Sequence, residues 1–231
     1  MTAIRTARER ARAELTQEIK DEARRQLGEA GAHSLSLRAV ARELGMVSSA
    51  LYRYFPSRDH LLTALIIDAY NALGEAAEGA DPGPGQSPRG RWREIWRGAR
   101  KWARAHPHEY ALIYGSPVPG YRAPEDTIAP AGRVALALLE VVRSASLTPA
   151  RTGPALPAKL KEQARILAAH LGAGLSEADI ARLLIAWTQL FGAIGLELFG
   201  QYNKVVEPAD WFFDYSAEQM ADLIGLPAKK A

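Results

Sequence analysis

The 231 residues include no cysteine, so disulfides and thiolate metal sites are excluded outright. Histidine is scarce too. His33, His60, His106, His108 and His170 form no Glu-x-x-His pair and no His-Glu-x-x-His run. Helical di-metal and zinc-hydrolase sites therefore lack their ligands. A glycine-rich phosphate loop and a nucleophile elbow are also missing, so neither an enzyme nor a cofactor is expected. No run approaches the roughly 18 uninterrupted apolar residues of a membrane span. Arg5, Arg8, Arg10 and Arg12 lead into a charged amphipathic segment instead of an apolar one, so no secretory signal is expected. Together these absences predict a cytoplasmic protein with no membrane partner.

What is present is a chain long enough to bury a core, with 48% hydrophobic and 24% charged residues, as in ordinary globular domains. The net charge of +3 is unevenly placed. Residues 1–60 carry 11 Lys/Arg against 8 Asp/Glu, and the remainder is balanced at 18 of each. A basic end on a neutral body suits a module that meets a polyanion, although a solvated helix surface reads the same way.

Periodicity is helical almost throughout, and no run alternates like a strand. The pattern predicts an all-α fold of about nine helices. Ala11, Leu15, Ile19, Ala23 and Leu27 mark a helix over residues 5–29. Ser36 is placed to cap a short helix carrying Leu37, Val40, Ala41 and Leu44, Gly45 breaks it, and a second short helix runs to about Phe55. Ser57 can cap a long helix through Leu73. Residues 81–90, Asp-Pro-Gly-Pro-Gly-Gln-Ser-Pro-Arg-Gly, read as a flexible connection between two helices. Further helices are expected from Trp92 to Ala103, from Pro107 to Gly115, at 134–142 and at 160–171, with a long loop at 116–130. Ser176 and Asp179 have the form of a capping box opening a helix to about Phe199. A last helix spans 208–224, where Asp210, Asp214 and Glu218 share a face that reads as solvated.

The segment from Leu37 to Tyr54 has the pattern of a helix-turn-helix. Two short helices crossing steeply need a small residue at the crossing, and Ala41 supplies it. The turn needs a residue tolerant of positive φ, and Gly45 follows four positions later. An apolar lock must then come from the second helix, and Leu51 falls six beyond the glycine. This arrangement predicts binding to double-stranded DNA.

The same residues resemble a family. Ser36-Leu37-Arg38-Ala39-Val40-Ala41-Arg42-Glu43-Leu44-Gly45 and Ala50-Leu51-Tyr52-Arg53-Tyr54-Phe55-Pro56-Ser57-Arg58-Asp59 are similar to the N-terminal domain of the TetR (tetracycline repressor) family over about residues 10–65. His106-Pro107-His108-Glu109-Tyr110 resembles the sensor-domain motif of one actinobacterial subgroup. The resemblance implies a DNA-binding domain at 1–58 and a ligand-sensing and dimerisation domain at 59–231. It further implies a homodimer formed through about 177–199 and 208–224, reading a palindromic operator and responding to a small apolar or aromatic ligand.

Chemistry assigns roles within that frame. Ser48 and Ser49 open the recognition helix and are expected at base edges, with Arg53 reaching guanine. Tyr52 and Tyr54 suit phosphate oxygens, as do Ser36, Arg38 and Arg58. The basic arm at 5–12 is either a minor-groove contact or simply solvated. Val47 stands where the family places a Ser or Thr cap, and it cannot accept the hydrogen bond. The ligand pocket is expected among Trp92, Trp96, Tyr110, Tyr114, Trp187 and Phe191, with Gln189 as a polar anchor. A regulator with no small-molecule ligand, or one that activates transcription, fits the sequence as well.

Overall fold

The computed structural model describes residues 7–148, 154–172 and 174–228, and its elements are all helical, as expected. Residues 1–6, including Arg5, lie outside the described residues. Ten α-helices occur among the described residues: α1 (Ala7–Ala30), α2 (Leu37–Glu43), α3 (Ser48–Leu51), α4 (Arg58–Ala80), α5 (Pro88–Ala105), α6 (Pro107–Tyr114), α7 (Ile128–Arg143), α8 (Ala158–His170), α9 (Glu177–Leu198) and α10 (Ala209–Ile224). The expectation of about nine is close, and each segment read as helical in the sequence forms a helix.

Packing divides the chain into two compact units, residues up to 70 with 106–130, and 71–105 with 131 onward. In the first, α1 buries Ile19, Ala23 and Leu27 against Leu37, Val40 and Ala41 of α2 and against Leu51, Phe55, Leu61, Leu62 and Leu65. Each such Leu or Ile contributes about 1.5–3 kcal/mol by leaving water. Ser57 caps α4 as expected, accepting from the His60 amide at 3.3 Å. Helix α6 lies on α1, where Arg24 meets both Asp68 of α4 at 2.6 Å and Glu109 at 3.3 Å.

In the second unit, α5 turns Trp92, Ile95, Trp96, Ala99 and Ala103 inward, while α10 supplies Phe213, Ala217 and Ile224. Gly98 lets α5 press on the end of α4, since a Cβ there would lie 2.6 Å from the Ala76 carbonyl. The connection at 81–87 lies within the second unit, between the end of α4 and α5, and it is pinned where Arg91 grips Asp81 through Nε at 2.9 Å and Nη2 at 2.7 Å. The capping box forms at Ser176 and Asp179. Gly225, left-handed at φ 89°, ends α10.

Three expectations need correction. Ser36 occupies the N-cap of α2 but makes no side-chain capping bond. Helix α7 begins at Ile128, inside the expected loop, because Pro130 sits in a first turn whose N–H groups have no helical acceptor anyway. Most informative is the acidic face of α10, which is paired instead of solvated. Arg97 meets Asp214 at 2.9 and 2.5 Å, Arg100 meets Asp210 at 2.7 Å, and Arg89 meets Glu218 at 2.9 Å and Asp222 at 2.5 Å. Acids and arginines recur every three to four residues on facing antiparallel helices, so one set neutralises the other along the whole seam. Arg100, which also grips Glu197 at 2.6 and 2.7 Å, is buried over the Phe213 ring.

Candidate nucleic-acid interface

Helices α2 and α3 meet through the residues the motif requires. Ala41 is fully buried at their crossing, and its carbonyl accepts the Met46 amide at 2.8 Å to close the turn. Gly45 adopts φ 65°, where a side chain would be strained. Leu51 is fully buried behind them. Beyond it the chain leaves the helix in tight turns, with the Tyr54 and Phe55 amides both donating to the Leu51 carbonyl at 2.8 and 3.1 Å. Phe55 is core.

This scaffold leaves one side of the motif open. Arg38, Ser49, Tyr52 and Arg53 are exposed, and Ser36, Ser48 and Tyr54 are half-buried. The Arg12 guanidinium stacks 5.6 Å above the Tyr54 ring, which ties the basic start of α1 to the motif. Arg58, expected at a phosphate, also has partners within the chain. Its Nε donates to the Leu35 carbonyl at 3.1 Å and its NH2 to the Ala32 carbonyl at 2.8 Å, so it fastens the connection into α2. The partners lie 23 and 26 residues away, beyond any local pattern. Val47 precedes α3 with no side-chain cap. The open side therefore offers hydroxyl, phenol and guanidinium groups on a rigid base, the set that hydrogen-bonds phosphates and base edges.

The family model for bacterial regulatory proteins of the tetR family matches residues 19–65, and that for the tetracyclin repressor-like C-terminal domain matches residues 92–220. The chain belongs to the TetR family of transcriptional regulators. It is 39% identical over 201 residues to the HTH-type transcriptional regulator Rv1816 of Mycobacterium tuberculosis, covering 84% of each chain. The crystal structure of the regulatory protein SCO4313 is similar over 93% of this chain and 98% of its own, with TM-score 0.77 and 32% identity. A TetR variant of Acinetobacter baumannii solved with minocycline shares the fold, at TM-score 0.50 and 17% identity over 87% of this chain and 91% of its own. The family and these relatives are regulators of transcription, not enzymes.

In this TetR-family chain the aromatic residues expected around a ligand fall into three pairs. Trp92 and Trp96 stack at 5.8 Å, Trp187 and Phe191 meet at 5.6 Å, and Tyr110 and Tyr114 lie 5.2 Å apart. The first two pairs belong to the second unit and the tyrosines to the first, where Tyr114 also packs edge-on to Tyr70 at 5.9 Å. Burial pushes the phenols of Tyr110 and Tyr114 well above the usual tyrosine range, so both stay neutral. Trp92 donates its indole N–H to the Ala217 carbonyl at 3.0 Å and so holds α5 on α10. The indole N–H groups of Trp96 and Trp187 are buried without an acceptor among the described residues. Gln189 is half-buried on α9.

Proposed function

We propose that this chain is a ligand-responsive repressor that binds an inverted-repeat operator as a homodimer. Residues 1–58 serve as the DNA-binding segment and 59–231 as the sensing and dimerisation segment. The observation that carries the dimer is an uncovered apolar side on α9 and α10. Leu184, Ile185 and Leu196 are exposed on α9, as are Trp211 and Tyr215 on α10. A Cβ on Gly192 would meet nothing within 4 Å, so α9 carries an open notch where a second helix can approach. By length and composition α9 would also pass as a membrane span, but nearly half of that stretch is buried and it packs on α8 and α10. A second copy of the chain covers the rest, and two-fold symmetry then demands a symmetric operator. Such a regulator works beside the chromosome, in the cytoplasm.

On the DNA, Ser48, Ser49 and Arg53 meet base edges, while Ser36, Arg38, Tyr52 and Tyr54 hold phosphates. The ligand reading is supported by Trp96 and Trp187, two predicted lining residues whose buried donors await an acceptor. An apolar or aromatic ligand carrying a carbonyl or similar oxygen would satisfy them. Its binding would shift α4 and with it the spacing of the two DNA-reading heads. Measuring operator affinity with and without a saturating ligand tests this. The reading predicts weaker binding by an intact dimer, and unchanged affinity would overturn it.

A further inference from the structure

Val47 is the more exposed of the two large hydrophobic side chains that the motif leaves open, the other being Tyr52. It is 70% exposed, it precedes α3 in extended backbone at φ −70° and ψ 135° with no side-chain cap, and its carbonyl accepts the Ala50 amide at 2.9 Å. Valine is among the poorest N-cap residues, so the position forgoes a capping bond that Ser, Thr, Asn or Asp would supply. Its isopropyl group lies largely in water, whereas Ala50 and Leu51, one turn on, are half-buried and fully buried. A forgone cap and an exposed apolar side chain thus coincide at the residue that leads α3, the kind of local inconsistency expected at functional sites.

The place of Val47 narrows what that is. It leads the helix that carries Ser48 and Ser49, next to two side chains too short to keep it from the floor of a groove. An isopropyl group cannot hydrogen-bond, so it cannot distinguish donors from acceptors. Among the four DNA bases only thymine presents an apolar group in the major groove, its C5 methyl. We infer that Val47 is a specificity-determining residue that packs on a thymine methyl at one position of each operator half-site. This inference rests on the reading that α3 enters the major groove. It also assigns the motif an apolar contact alongside the hydroxyl contacts of Ser48 and Ser49.

The test replaces thymine by deoxyuridine, one position at a time, in an operator selected with the full-length protein. This removes the methyl and leaves every hydrogen-bonding group in place. At one thymine per half-site, the substitution should weaken wild-type binding about fourfold, the worth of one buried methyl-sized group. The Val47→Ala protein should show no loss at that same position. A deoxyuridine penalty of equal size in both proteins would overturn the inference, as would a scan in which no thymine methyl matters. In the latter case, Ser48→Ala and Tyr52→Phe tell the failures apart. If they still impair binding, only the role of Val47 is lost; if they do not, the placement of α3 falls with it. Val47→Ser supplies a readout that a merely structural role would not give. It restores a cap, so its melting temperature should rise by about 2–4 °C while operator affinity falls. A variant that is more stable and binds equally well would contradict the assignment.

Discussion

Leu51 closes the space between α2 and α3, and no part of it reaches solvent. Leu51→Ala should cost about 2–5 kcal/mol, because the short helices around it cannot collapse into the cavity. Urea denaturation checks this, and a loss under 1 kcal/mol would show that the motif is held elsewhere. At the same scale, Tyr52→Phe removes one exposed hydroxyl and should weaken binding about equally across DNA sequences. Ser48→Ala should instead change preference at one base position. Binding measured on a panel of single-base operator variants separates the two, and identical profiles would refute the division of labour. Ala41, Gly45 and Leu51 were legible in the sequence because each answers a steric demand a few residues away. Arg58 was not, because its carbonyl partners come from a connection more than twenty residues earlier.

Among the helices, the seam between α5 and α10 carries a row of arginine–carboxylate pairs. Asp214 is held below its ordinary value of 3.8 chiefly by hydrogen bonds from Arg97, and Asp210 chiefly by the one from Arg100. A carboxylate with a depressed folded pKa stabilises fully above its unfolded pKa, and that contribution is lost as pH falls through the folded value. The stability gap between wild type and Asp214→Asn should therefore be full above about pH 5, begin to narrow near the ordinary carboxylate range and close only as pH falls through the depressed folded value. Urea titrations from pH 7 down to about pH 2 check this; a gap that stays constant down to the lowest pH at which both proteins fold would mean that Asp214 acts through shape alone. A second prediction concerns the start of α9, where Ser176→Ala breaks the capping box and should cost about 1 kcal/mol. The box was readable as four consecutive residues. The seam was not, because amphipathic periodicity shows which face of α10 is polar but not which helix lies against it. Arginines at 89, 93, 97, 100 and 104 were the available signal, a basic row with the same repeat as the acidic one.

For the whole molecule, the account depends on a second copy covering α9 and α10. Ile185→Asp places a charge on the exposed apolar side of α9 without entering the core, so the protein should stay helical yet become monomeric and lose most operator affinity. Analytical ultracentrifugation with circular dichroism checks it, and a folded dimer with normal binding would move the interface elsewhere. All-helical architecture was legible because nearly every segment repeats apolar residues at helical spacing. The proposed ligand site was legible only as a collection of aromatic side chains, since the sequence does not show that the tyrosine pair and the tryptophan pairs fall in different units. The most direct measurement of the central claim is selection of binding sites from random double-stranded DNA by the full-length protein. The account predicts enrichment of an inverted repeat whose half-site centres lie about 10–10.5 base pairs apart, one helical turn. Enrichment of a single asymmetric site, or of no sequence at all, would contradict it.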